Sequence, residues 1–220
     1  MLHTPQGLAQ AVHAAIEQSF EKKALIETFA EGQEYSVEHI SWQGKHHFLA
    51  MTLKYTTDAP HFIETGHLEP APVSPQMLER VKRVVDHALD TLGIEYGASH
   101  TELKIDAQGN ILLIEIGGRM GGDCIGSDLV RYSTGYDFVK MVIDVACGRQ
   151  PDFTKVCTPQ AAKVQFIMNQ HDLEVFEALR REHPEQILQL TDLHPENLGH
   201  TTDSSNRAGC YIVRAEQPQI

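Results

Sequence analysis

The chain has 220 residues, 41% hydrophobic and 22% charged, with 16 glycines and 10 prolines, which is ordinary usage for a globular protein and excludes collagen-like or disordered chains. Lys plus Arg is 18 against 30 Asp plus Glu, a formal charge of −12, so neither nucleic acid nor an anionic membrane is an expected partner. No window approaches the roughly 18 consecutive apolar residues of a membrane span, and Met1-Leu2-His3-Thr4-Pro5 lacks a signal-peptide pattern, so a cytoplasmic location is expected.

Thr4-Pro5 reads as the cap and first-turn proline of an amphipathic helix carrying Leu8, Val12, Ala15 and Ile16. Leu25 to Phe29 reads as a strand, and residues 35–42 and 46–54 as a hairpin about Gln43-Gly44-Lys45, giving three antiparallel strands. After a proline-rich connection (Pro60, Pro70, Pro72), Ser74 caps a helix with Pro75 at its first position. Leu78, Val81, Val84, Val85, Ala88, Leu89 and Leu92 line one face of that helix, and Gly93 ends it. Residues 100–106 and 110–116 flank Gln108-Gly109 as a second hairpin.

A glycine cluster at 117–122 precedes a helix from Asp137 to Cys147, built on Phe138, Met141, Val142, Val145 and Ala146 and closed by Gly148. Beyond Pro151 the pattern predicts a strand at 161–168, a helix near 172–181, a polar loop at 191–207 and a last strand at 209–215. The expected fold class is α+β: an antiparallel sheet with packed helices over residues 1–150, and a small α/β appendage over 151–220. Cys124, Cys147, Cys157 and Cys210 form no Cys-x-x-Cys pair and read as reduced and mostly buried. The histidines show no ligand spacing on a helix, so no structural zinc is expected.

With Gln108-Gly109 as the two central turn residues, Ala107 faces Asn110 and Glu102 falls opposite Glu115 on one face, backed by Leu103, Ile105, Leu112 and Ile114. Directly opposed Cβ atoms are about 4.5–5.5 Å apart, and like charges there destabilise a sheet unless a cation lies between them. Magnesium suits such a site, because it takes one or two carboxylates and completes its shell with water and phosphate. The alternative is an exposed hairpin whose glutamates are neutralised by Lys104 and Arg119. Downstream, Gly117-Gly118-Arg119-Met120-Gly121-Gly122 gives backbone freedom around one guanidinium, a group suited to an anionic oxygen.

The run from Leu25 to Val37, with His100-Thr101-Glu102-Leu103-Lys104 and Glu115-Ile116-Gly117-Gly118-Arg119-Met120-Gly121-Gly122, resembles the ATP-grasp superfamily, and within it the L-amino-acid ligase type of carboxylate-amine ligase. The ending Asp203-Ser204-Ser205-Asn206-Arg207-Ala208-Gly209 resembles the small C-terminal domain of that subgroup. The resemblance implies an ATP-derived acyl-phosphate attacked by an amine to give an amide, with Mg²⁺, or Mn²⁺ in its place, bridging phosphates and acid. It places Glu27, Phe29 and Ala30 at the adenine, Glu34 at the ribose and Lys54 at a phosphate. Glu102 and Glu115 match the metal ligands, Arg119 the arginine that holds the acyl-phosphate and oxyanion, and Glu64 and His67 the contacts to the amino-acid amine. Gly117 stands where many superfamily members carry Asn.

The same resemblance, carried by the pattern over residues 24–150, implies that residues 1–150 are the C-terminal part of an ATP-grasp domain and 151–220 its small C-terminal domain. A complete ligase would add an N-terminal half, in the same chain or a partner chain, and without it weak ATP binding and self-association as a homo-oligomer are expected. Its partners would otherwise be small amino-acid or carboxylate substrates. Two alternatives stay open: a nucleotide- or metal-binding module without catalysis, and a biotin-carboxylase-like or glycinamide-ribonucleotide-synthetase-like member of the superfamily.

Overall fold

The computed structural model describes residues 4–57 and 62–216, so Pro60 of the proline-rich connection lies outside the described residues. The chain divides into two compact units, Met1–Glu31 and Gly32–Ile220.

The first unit holds helix α1 (Leu8–Gln18). Its start differs from the expected cap. The Leu8 amide donates to the Pro5 carbonyl at 3.1 Å, so Pro5 belongs to a turn ahead of the helix, and Gly7 takes the cap position with φ 87° and no side-chain bond. The strand expected over Leu25–Phe29 does not form: residues 23–30 carry no regular secondary structure, and Leu25 and Ile26 are exposed. High β-propensity supplies side chains that fit a sheet, but a strand also needs a neighbour to take its backbone groups.

The second unit contains β1 (Gln33–Trp42), β2 (Lys45–Thr56), β3 (Glu64–Glu69), α2 (Pro75–Thr91), β4 (Gly97–Ile105), β5 (Ile111–Gly117), α3 (Val130–Thr134), α4 (Phe138–Ala146), β6 (Ala162–Ile167), α5 (Gln170–Glu182), β7 (Ile187–Leu190) and β8 (Gly209–Arg214). Its strands form one eight-stranded sheet in the order β5-β4-β1-β2-β3-β6-β8-β7, every pairing antiparallel. The strands β3 and β7 have no counterpart among the elements expected from the sequence; both are short, and β3 carries Gly66, His67 and two glutamates in place of a β-branched run. The expected boundary at residue 150 falls in the loop before β6, and β6 joins the same sheet through β3.

One face of the sheet is covered by α2. Ser74 accepts from the Met77 amide and Pro75 sits in the first turn, which is the expected start. Val81, Val85 and Leu89 are fully buried against Val37, Met51, Leu53 and Leu103, each worth about 1.5–3 kcal/mol. On the opposite face, α3 and α4 pack Val130, Phe138, Met141 and Val145 on Ile40, Ala50 and Ala98.

Strand β1 therefore reads in two directions at once. Its odd residues Tyr35 and Val37 point to α2, while Glu34, Ser36, Glu38 and Ile40 run along the other face from a charged end to an apolar one. The charged end carries the candidate site.

Candidate functional site

The β4–β5 hairpin closes differently from the expected two-residue turn. Asp106 donates its amide to the Asn110 carbonyl, leaving a three-residue tip in which Gly109 adopts φ 79°, the left-handed position such loops favour. The ladder pairs Ile105 with Ile111 and Leu103 with Leu113, then shifts by one residue so that Glu102 faces Glu115. Ile114 is the extra residue of this bulge. The opposed glutamates were thus expected correctly from a turn placed one residue off, because the bulge restores the pairing.

The expected backing is corrected by the same shift. Leu103 is fully buried, whereas Leu112 and Ile114 are exposed at 42% and 48% on an edge strand, and Ile111 and Ile116 take the core side.

Lys54 organises the neighbourhood. It is buried, and its Nζ donates to Glu102 Oε1 at 2.7 Å while lying 2.9 Å from Glu34 and 3.6 Å from Glu64. Burial alone would lower its pKa, but the hydrogen bond to Glu102 and the charge of Glu34 outweigh it and raise the pKa above the ordinary value. His100 Nε2 lies 3.3 Å from the same Glu102 oxygen, and its Nδ1 is hydrogen-bonded to the fully buried Glu38. Against the cost of burial, these two carboxylates raise His100 to about 9, so it is cationic at neutral pH. The hydrogen bond from His100, opposed by burial and reinforced by Lys54, holds Glu102 at about 2.

Neither the exposed hairpin with Lys104 and Arg119 as counter-ions nor a bare glutamate pair is what forms. Glu102 is neutralised from beneath by Lys54 and His100, both on Oε1. Lys104 lies 3.9 Å from Glu34. Glu115 is exposed and forms no ion pair among the described residues.

Within the glycine cluster it is Gly121 that is closely packed. None of Gly117, Gly118, Gly121 and Gly122 has a positive φ, so the expected conformational freedom is not what the loop uses. Gly121 donates its amide to Glu38 Oε2 at 2.9 Å, and a Cβ there would fall 2.6 Å from Glu38 Oε1 and 2.8 Å from His100 Nδ1. Arg119 is exposed and donates to the Met120 carbonyl at 2.8 Å.

The remaining expected residues form a second, linked group. Glu64 Oε2 accepts from Arg207 at 3.0 Å, and Arg207 also donates to Asp123 at 2.8 Å while its guanidinium covers the Phe166 ring at 3.7 Å. His67 is buried, 3.8 Å from Asp123 and edge-on to Phe166, with neither ring nitrogen hydrogen-bonded among the described residues. Burial lowers its pKa, which keeps it neutral. The structure therefore brings Glu34, Lys54, Glu64, Glu102 and His67 into one network and sets Glu115 beside it by register. Glu27, Phe29 and Ala30 belong to the first unit, with Glu27 and Phe29 exposed.

Glu38, His100, Asp123 and Arg207 were not singled out from the sequence. For Glu38 a signal existed: Glu34, Ser36 and Glu38 alternate with Tyr35 and Val37 along a strand, which puts Glu38 on the same face as Glu34. Asp123 and Arg207 are far apart in the chain, and nothing local pairs them.

Among the described residues no cluster of three or more His, Cys, Asp or Glu could enclose a metal. The opposed pair Glu102 and Glu115 fits a cation that keeps water and phosphate ligands, such as magnesium, because it offers two carboxylates on one open face with Glu102 Oε2 outside the Lys54 and His100 contacts. A groove of about 590 Å³ between α2 and β5, lined by Arg80, Arg83, His87, Ile111 and Leu113, lies on the other face and contains none of these residues.

Residues 6–128 match the family model of the ATP-grasp domain. The chain belongs to the ATP-grasp domain family. It is 30% identical over 151 residues to mouse carnosine synthase 1, covering 69% of this chain and 18% of that protein. It is 27% identical over 150 residues to Bacillus subtilis alanine–anticapsin ligase, covering 62% of this chain and 31% of that protein. This ATP-grasp chain thus spans less than a third of those curated relatives. Its fold superposes on the L-amino acid ligase of Bacillus licheniformis with a TM-score of 0.78 at 22% identity, over 98% of this chain and 55% of that one. Phosphoribosylglycinamide synthetase from Anaerococcus prevotii gives 0.72 at 18% identity, over 97% and 56%. No helix among the described residues is long and apolar enough to cross a membrane.

Proposed function

We propose that this chain carries the phosphate- and metal-binding side of an ATP-grasp ligase that joins a carboxylate, an amino acid in the simplest case, to an amine. The observation that carries the reading is the register-opposed pair Glu102 and Glu115 on the open face of the sheet, with Lys54 beneath it and Arg119 on the adjoining loop. When bound, ATP would supply the phosphoryl group that converts the acid into an acyl-phosphate, and magnesium would offset the charge of its phosphates.

This chain's own residues do the rest by charge and position. Lys54 and His100 hold Glu102 ionised and fixed, so Glu102, with Glu115 opposite it, would hold a divalent cation without a proton to remove from Glu102 first. Arg119, engaged only to a backbone carbonyl in the hydrogen bonds seen, turns its remaining donors to the anionic oxygen of the acyl group, the stabilisation that carries much of acyl transfer. Glu64, with His67 beside Asp123, forms the side of the site that contacts the amine of the substrate amino acid. Glu27, Phe29 and Ala30 read the adenine and Glu34 the ribose; manganese replaces magnesium at the same carboxylates. The N-terminal portion of the ATP site is supplied by further sequence or a partner chain.

The test is trapping. The natural chain in which these residues occur, given ATP, magnesium, one amino acid and hydroxylamine, should form the hydroxamate and release phosphate in equal amounts, and a second amino acid should compete. ATP hydrolysis that no carboxylate stimulates, with no hydroxamate, would remove the reading.

A further inference from the structure

Cys124 and Cys210 are 86 positions apart, yet their Sγ atoms approach to 3.8 Å. Cys124 is half-buried and caps the π-helical turn Ile125–Leu129 with φ 64°; Asp123 before it has φ 51°. Two adjacent non-glycine residues in the left-handed region are held there by their surroundings and not by their own preference. Cys210 is buried on β8 among Ile125, Leu129, Val164 and Ile212.

The segments that carry the two cysteines are fixed from independent directions. Arg207, just upstream of Cys210, donates to Asp123 at 2.8 Å, which clamps the two segments together next to the cysteines. The Cys210 amide donates to Thr191 Oγ1 at 2.9 Å, and the Thr191 amide donates back to the Cys210 carbonyl at 3.0 Å. A disulfide needs sulfurs about 2.05 Å apart, so closure from 3.8 Å calls for a movement of under about 2 Å between sulfurs whose segments are already held together.

We propose that Cys124 and Cys210 are a modification site: a reversible intramolecular disulfide, formed by hydrogen peroxide and opened by a dithiol. One thiolate of the pair attacks a peroxide oxygen; the O–O bond breaks, the leaving oxygen departs as water, and a sulfenic acid forms. The second thiol attacks that sulfur, forming the S–S bond and releasing the second water, so two thiols and one peroxide give one disulfide and two waters. The bond ties the loop that carries Arg119 to the strand next to Arg207. The site does not depend on the ligase reading.

Cys147 is exposed and Cys157 donates to the Arg131 carbonyl at 3.3 Å; neither has a second thiol within reach among the described residues, so they serve as internal controls. The protein is treated with hydrogen peroxide, denatured, alkylated and digested without reduction. The expected result is a peptide linking Cys124 to Cys210, two of the four cysteines alkylated, reversal by dithiothreitol, and an upward shift of the thermal midpoint in the oxidised protein. Cys124→Ser should abolish the linked peptide and Cys147→Ser should leave it. Full alkylation of Cys124 and Cys210 after peroxide treatment, or a linkage through other cysteines, overturns the proposal. The wild-type peptide map decides even where a serine variant does not fold.

Discussion

Lys54 shows how a buried charge is tolerated. Its ammonium is taken from water and surrounded by Glu34, Glu64 and Glu102, and removal of one partner from such a network costs far more than the network contributes. Lys54→Met should lower stability at pH 7 by about 3–5 kcal/mol in urea unfolding, and the deficit should narrow at acidic pH as the stranded carboxylates protonate. Glu102, held at about 2, contributes stability that is present above its ordinary 4.5 and is lost as pH falls through about 2.

Glu69 has the opposite sign. It is fully buried, Thr52 and Ser133 donate to it at 2.6 and 2.5 Å, and burial raises it to about 7. Its contribution is therefore full below 4.5 and is lost as pH rises through about 7. Glu69→Gln should match the wild type near pH 4.5 and exceed it at pH 8 by about 3 kcal/mol, as read from thermal midpoints across pH; a constant difference at all pH values would show that Glu69 is not protonated in the folded protein.

At the scale of elements, the hairpins and helices were legible where one periodicity ruled. Ser74-Pro75 and Gly93 bound α2, and Gln43-Gly44 joins β1 to β2, because caps and tight turns are local chemistry. The segment 25–29 shows the limit: its side chains suit a strand, but strand formation depends on a partner. The hairpin at Gly109 shows another, since turn length and bulge compensated one another and only the product, Glu102 opposite Glu115, was legible.

The glycine loop was legible as special but for the wrong reason, because close approach depends on Glu38 and His100, which arrive from other strands. Gly121→Ala should cost about 1–3 kcal/mol, since its Cβ would displace the Glu38–His100 pair, whereas Gly118→Ala, with nothing within 4 Å, should change stability by less than about 0.5 kcal/mol. Chemical denaturation of the two variants side by side checks this.

For the whole molecule, charge decides how a nucleotide can bind. Lys54, His100 and Arg207 are already matched by Glu34, Glu38, Glu64, Glu102 and Asp123, and the chain carries −12 overall. A free triphosphate meets repulsion here, so nucleotide binding should require a divalent cation: calorimetry with ADP should show heat with magnesium and none with EDTA.

The metal-site assignment itself is reached most directly by amide formation in the natural chain that contains these residues, with Glu115→Gln beside the wild type at equal magnesium. The substitution keeps the shape and removes one formal charge from an exposed carboxylate that supports no ion pair among the described residues. Turnover reduced by about 100-fold or more with an unchanged thermal midpoint is expected. Wild-type turnover would contradict the role given to the opposed glutamates.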